Sequence, residues 1–188
     1  MHSRLLELEV LARDTSATGD PFLDGLYALD ATAAYYRLLY RLVRAISPEL
    51  VVELGVFTAR GTAHIAAACR ETKVIGVDPF PKDISEILDR YPNIQFLKDK
   101  SYSKSVLDLV ADGSVDICFF DTLHEYQVVL VETQLWFPKM KRGGIMLFDD
   151  ISLNDGMKKF WSELNLPKLS LPWLHHSGFG AAVAELNG

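Results

Sequence analysis

The chain has 188 residues, 49% of them apolar and 23% charged, with a formal net charge of −6. That length suits one domain with a full hydrophobic core, and the acidic balance argues against a nucleic-acid grip, which needs a basic footprint. There is no apolar run of membrane-spanning length. Arg4, Glu7 and Glu9 stand where a signal peptide would be apolar, so a cytoplasmic protein is expected, with Cys69 and Cys118 as buried thiols in a reducing compartment.

Residues 14–25, DTSATGDPFLDG, are turn-rich and read as a loop or mobile arm. Asp30 reads as a helix N-cap, with Ala34, Leu38, Leu42 and Ala45 at helical spacing and Pro48 as the stop. Strands then alternate with helices. Leu50–Leu54 is an apolar run followed by a helix through Ala68, and Lys73–Val77 a second strand followed by a helix over Ile84–Arg90. Ile94–Leu97 precedes a helix near Lys104–Val110, and Val115–Phe120 precedes one ending near Pro138. Gly144–Phe148, a helix near 153–164 and a last strand near Phe179–Leu186 complete the chain. Near-continuous hydrophobic strands between helices predict an α/β fold: a doubly wound, mostly parallel sheet covered on both faces. Ligands bind such sheets outside the carboxyl ends of the strands, where strand order reverses.

Several acids fall on that edge. The run VVELGVFTARGT, residues 51–62, reads strand, turn, helix, with Gly55 permitting a tight turn and close ligand approach. Asp78 ends the second strand, 25 residues after Glu53, where an acid can accept hydrogen bonds from a ribose diol; alternatively it is a solvated turn residue beside Pro79. Asp121 ends the fourth strand, His124 follows it by three residues, and Asp149 and Asp150 end the fifth. Three carboxylates in one cleft need a cation or donors to stay ionised, and oxygen ligands suit a hard ion such as Mg²⁺. A bound cation lowers the pKa of a substrate hydroxyl, and His124 is suited to take its proton. The plainer reading makes Asp121 and Asp150 N-caps of the helices that follow.

Glu53, Gly55, Asp78, the FLKDKS segment ending in Ser101, and the Asp121–Asp150 block resemble class I S-adenosylmethionine-dependent methyltransferases over residues 48–151. The likeness is nearest to small O-methyltransferases of the catechol type and to metal-dependent sugar O-methyltransferases of macrolide biosynthesis. The latter show an Asp, a His three residues on and an acidic pair after the next strand, here Asp121, His124, Asp149 and Asp150. The resemblance implies a Rossmann-like fold with a C-terminal antiparallel strand. It implies cofactor contacts from Glu53 (methionine end), Gly55, Asp78 (ribose), Ser101 (adenine) and Asp121. It further implies a metal at Asp121, Asp149 and Asp150, with His124 and Asp121 catalytic. The family's second loop glycine is replaced by Ala59, with Gly61 two residues on, so that alanine needs a negative φ or a shifted loop.

The expected activity is methyl transfer to a hydroxyl of a small molecule, in a single domain with residues 1–47 as a helical cap or lid and 48–188 as core. No nucleic-acid or membrane partner is expected; the N-terminal helical region, rich in Tyr27, Tyr35, Tyr36 and Tyr40, reads as a helix packed across the sheet or, more sharply, as a substrate lid or homodimer contact. A nicotinamide-dependent oxidoreductase is disfavoured because no G-x-G-x-x-G follows the first strand. A non-catalytic nucleoside-binding domain is the third reading. His64, Trp136 and Phe137 are expected in packing roles and Tyr126 within reach of the cleft; His175 and His176 either line the substrate mouth or face solvent, the latter being the favoured reading.

Overall fold

The computed structural model describes residues 2–29 and 33–185. Seven strands form one sheet: β1 (Leu50–Leu54), β2 (Lys73–Val77), β3 (Ile94–Leu97), β4 (Val115–Phe120), β5 (Met140–Asp149), β6 (Lys168–Ser170) and β7 (Phe179–Val183). Their order is β3-β2-β1-β4-β5-β7-β6. The first five are mutually parallel, and β7 runs antiparallel to both β5 and β6. This is the Rossmann-like sheet expected, with its C-terminal antiparallel strand. The short β6, three residues on the sheet edge, carries too little pattern to be read from sequence.

Strand residues alternate between two cores. Val51, Ile117, Phe119, Leu147 and Phe179 pack on one face, against α1 (Ser3–Arg13), α2 (Pro21–Ala28), α3 (Tyr35–Ile46), α4 (Arg60–Ala68) and α5 (Ser85–Arg90). Val52, Leu54, Cys118, Phe120 and Phe148 pack on the other, against α6 (Lys104–Leu107), α7 (Tyr126–Trp136) and α8 (Asp155–Glu163). Both faces are covered, so the central strands are largely apolar.

One N-terminal expectation changes. The loop read over 14–25 ends early, because Asp20 accepts from the Phe22 and Leu23 N–H groups and Pro21 sits at the first helical position, together starting α2. Residues 3–13 form α1, which packs on α3 and β7. Asp30 lies outside the described residues, as does Leu186 at the end of the last predicted strand; α3 begins at Tyr35 and ends where Ser47 turns left-handed, at φ 48°, before Pro48. Cys118 is buried and Cys69 half-buried, both free thiols. Among the described residues, no helix is long and apolar enough to cross a membrane.

Strand order reverses between β1 and β4. Leu54 pairs with Phe120, so the residues that follow, Gly55 and Asp121, emerge side by side at the carboxyl edge. A cleft of about 550 Å³ opens there.

Candidate active site

Gly55, at φ 87°, packs so close to β4 that a Cβ would run into the Asp121 carbonyl. The turn after it is pinned from β2: Asp78 Oδ2 accepts from the Val56 N–H at 3.0 Å and the Phe57 N–H at 2.8 Å, and its Oδ1 accepts from the Phe80 N–H at 2.6 Å. Asp78 is therefore neither a solvated turn residue nor a free acceptor; it organises the loop. Of the two alternatives for Ala59, a negative φ or a shifted loop, the first does not hold. The residue sits in the left-handed region at φ 56°, as does Phe57 at 47°, so the loop turns as glycine would turn it without the glycine.

Glu53 points from β1 under this loop and is 2% exposed. Thr62 donates its hydroxyl to Glu53, and Gly61 leaves room for the carboxyl, since a Cβ there would strike it. Burial, with the charges of Asp121 and Asp78 adding to it, holds Glu53 well above the ordinary carboxylate range against the pull of the Thr62 hydroxyl. Across the cleft, Ser101 and Thr122 both donate to the buried Glu132 of α7, the latter at 2.7 Å, and the Trp136 indole N–H donates to the Ser101 carbonyl at 2.9 Å. The Ser101 hydroxyl is thus turned onto a carboxylate that sequence reading missed; only its place on α7 facing β4 marks it.

The acidic end lies beside Asp121. His124 Nε2 lies 3.5 Å from Asp121 Oδ1, and Nδ1 lies 3.2 Å from Asp150 Oδ2. Nε2 has no hydrogen-bond partner. Burial acts to lower the His124 pKa, but the surrounding carboxylates outweigh it and raise it; at 3.5 Å from Asp121 their pull is mainly that of charge. Tyr35 reaches in from α3, its hydroxyl 3.5 Å from Asp121 Oδ2 and its ring stacked on Phe179.

His175 corrects the favoured sequence reading, which placed it in solvent. Its Nδ1 lies 2.8 Å from Asp149 Oδ1 and 3.1 Å from Asp150 Oδ1, and Ser177 donates its hydroxyl to Asp150. The cause is topological. Asp149 pairs with Phe179 in antiparallel register, and the Ser152 N–H bonds the Ser177 carbonyl at 2.8 Å, so residues before β7 run alongside those after β5. His176 is exposed as expected. Burial pushes Asp149 up to about 6, with Asp121 and Asp150 adding repulsion and His175 opposing. Burial opposes protonation of His175, yet its contacts with Asp149 and Asp150 push it up to about 10. For Asp150 burial is outweighed by His175, Ser177 and His124, and its pKa falls.

The capping alternative does not describe these acids. Helix α7 starts at Tyr126 with no side-chain cap, and α8 is capped by Asn154, which accepts from the Met157 N–H. Among the described residues two groups have the mutual spacing of metal ligands, Asp121 with His124 and Asp149, and Asp149 with Asp150 and His175. Each contains a histidine, and Asp149 belongs to both. Tyr126 leaves the cleft to donate to Glu163 at 2.7 Å. His64 is buried, stacked on Tyr36, with Nδ1 2.7 Å from the Arg60 carbonyl. Trp136 lies in the core and Phe137 packs against it.

The methyltransferase domain family matches residues 52–151. The chain is 29% identical over 171 residues to the uncharacterized protein y4gI of Sinorhizobium fredii, a match covering 77% of this chain and 18% of that protein. A second curated relative, the uncharacterized protein R132 of Acanthamoeba polyphaga mimivirus, is 28% identical over 53% of this chain and 50% of its own length. The chain thus spans about a fifth and half of these relatives. In fold it is similar to a Staphylococcus aureus protein assigned as a caffeoyl-CoA O-methyltransferase, with a TM-score of 0.69, 11% identity and coverage of 97% of this chain and 99% of the other. It is also similar to the SAH-bound methyltransferase PaMTH1 of Podospora anserina, with a TM-score of 0.67, 14% identity and coverage of 100% and 89%.

Proposed function

The chain belongs to the methyltransferase domain family, and we propose that it moves a methyl group from S-adenosylmethionine to a hydroxyl of a small molecule, assisted by a divalent cation. The carrying observation is the meeting of two half-sites at the switch point. A loop pinned by Asp78 over the buried Glu53 lies on the β1–β2 side, and a carboxylate–imidazole cluster lies on the β4–β5 side, with Gly55 touching Asp121 between them.

S-adenosylmethionine, when bound, supplies a methyl carbon on positive sulfur; the acceptor oxygen forms the new C–O bond as the C–S bond breaks. Glu53, buried and short of positive charge, is placed to take the methionine ammonium as its counter-ion. Asp78 has each oxygen engaged by backbone N–H groups, but a carboxylate has further lone pairs for a ribose diol. Gly55 permits close approach, and the Ser101–Thr122 wall held by Glu132 faces the same cleft. Asp121, Asp149 and Asp150 suit a cation by chemistry: burial, with repulsion from Asp121 and Asp150 adding to it, holds Asp149 up at about 6, and a cation would relieve that repulsion. His124, with Nδ1 3.2 Å from Asp150 and Nε2 3.5 Å from Asp121, is the imidazole of this cluster suited to take the acceptor's proton. Tyr35 and Tyr36 line the cleft, which supports residues 1–47 as a cap on the 48–188 core.

The fold of an SAH-bound neighbour and of an assigned O-methyltransferase supports the cofactor and the oxygen acceptor. Calorimetry with S-adenosylmethionine and with NAD, followed by methyl transfer to a panel of catechols and sugars with and without chelator, tests the reading. Binding of S-adenosylmethionine alone and chelator-sensitive turnover are expected. Binding of NAD instead would reject the cofactor, and turnover indifferent to chelator would reject the cation.

A further inference from the structure

We propose that His175 is itself a ligand of the cation, so that the centre is a mixed nitrogen–oxygen site that prefers Mn²⁺ or Co²⁺ to Mg²⁺. The inference rests on the cation reading above and departs from the all-carboxylate Mg²⁺ site that the sequence led us to expect.

Three oxygens converge on one nitrogen. Nδ1 of His175 faces Asp149 Oδ1 at 2.8 Å, Asp150 Oδ1 at 3.1 Å and the Ser177 hydroxyl at 3.2 Å. A single N–H satisfies one acceptor well. An octahedral ion with bonds of about 2.1 Å places adjacent ligand atoms about 3.0 Å apart, the spacing found between Nδ1 and both carboxylates. Asp150 is held for this at a backbone cost, at φ 57° in the left-handed region; such strain persists where surrounding structure demands it. Asp149, 3% exposed, also belongs to the Asp121–His124 group. Oxygen-only sites suit Mg²⁺, whereas imidazole shifts preference along the first-row series.

The rival reading is that His175 is a fixed positive charge standing in for a cation. The two predict opposite signs. The full chain, stripped with chelator, is titrated with Mg²⁺, Mn²⁺ and Co²⁺ by calorimetry, as wild type, His175→Ala and His175→Gln. A ligand role predicts Co²⁺ and Mn²⁺ binding at least about tenfold tighter than Mg²⁺. Both variants should then lose about 100-fold or more in Co²⁺ affinity, beyond what outer-sphere partners cost, with Mg²⁺ affinity nearly unchanged. Spin-echo spectra of the Mn²⁺-loaded wild type, which need no variant, should carry imidazole nitrogen modulation that weakens in His175→Gln. Tighter metal binding in the variants, nitrogen modulation that is absent or survives His175→Gln, or equal affinity for Mg²⁺ and Co²⁺ overturns the proposal while leaving a cation site standing. Failure of all three ions to bind removes the cation reading itself.

Discussion

Replacing Glu53 by glutamine tests the cofactor side of the site. Glu53 is 2% exposed, and burial raises its pKa well above the ordinary 4.5, with Asp121 and Asp78 adding to the rise. Without cofactor it therefore keeps its proton at pH values where the unfolded chain has lost it. Across that window the unfolded state sheds a proton that the folded state holds, and folding stability falls by about 1.4 kcal/mol per pH unit. Stability from this group is complete below pH 4.5 and declines as the pH climbs towards the folded-state pKa. Glutamine copies the protonated shape and has no proton to lose. The stability of E53Q relative to wild type should thus rise by up to about 2.7 kcal/mol between pH 5 and pH 7, two units of that slope. Urea unfolding of both proteins at pH 5, 6 and 7, in chelator and at fixed ionic strength, measures it. S-adenosylmethionine brings an ammonium that favours ionised Glu53, so wild-type affinity should strengthen with pH by up to about tenfold per unit, while that of E53Q stays level and is weaker at pH 7. A stability gap that does not change with pH would refute the reasoning, for it would mean that Glu53 is ionised in the folded state.

Asp78→Ala should weaken S-adenosylmethionine binding by about 1.5–3 kcal/mol and, because three loop N–H groups lose their acceptor, also lower the melting temperature; unchanged calorimetric affinity in a folded variant would reject the ribose role. His124→Ala should lower kcat by about 10²–10⁴-fold with little change in cofactor affinity. Because neighbouring carboxylates raise the His124 pKa, the neutral base gains population as pH rises, and the wild-type rate should climb through an ionisation the variant lacks. A variant with normal turnover and the same profile would make His124 structural.

Much of this architecture was open to reading because the signals are local. Leu50–Leu54 and Lys73–Val77 are buried on both faces over most of their length and so largely apolar, and the acids that end each strand are placed by the strand itself. Asp121, His124, Asp149 and Asp150 could be grouped for that reason. His175 could not. Its place depends on β7 pairing antiparallel with β5 in one particular register, and a two-stranded pairing leaves no mark on the spacing of HHSGFG. Glu132 escaped for the same reason, since its partners Ser101 and Thr122 come from the ends of two other strands. Helix α2 was lost to composition: the turn-forming residues before it hid the Asp20–Pro21 start.

Ala59 shows how the loop can keep its glycine-like course without glycine. The left-handed conformation at φ 56° costs an alanine about 1–2 kcal/mol. Against this, the Ala59 methyl is buried, with the residue 1% exposed, which returns about 0.8 kcal/mol. An alanine also has fewer unfolded conformations to surrender than glycine, which returns about 0.4–1 kcal/mol. At a positive φ the strain outweighs the entropy gain, so the position tolerates alanine because something else fixes the turn. Asp78 does so from β2 through Val56 and Phe57, and the Ala59 N–H closes the turn onto the Val56 carbonyl at 2.7 Å. The left-handed turn is held here by an anchored backbone. Gly61, freed from the turn, is instead the residue that lets Glu53 fit beneath α4.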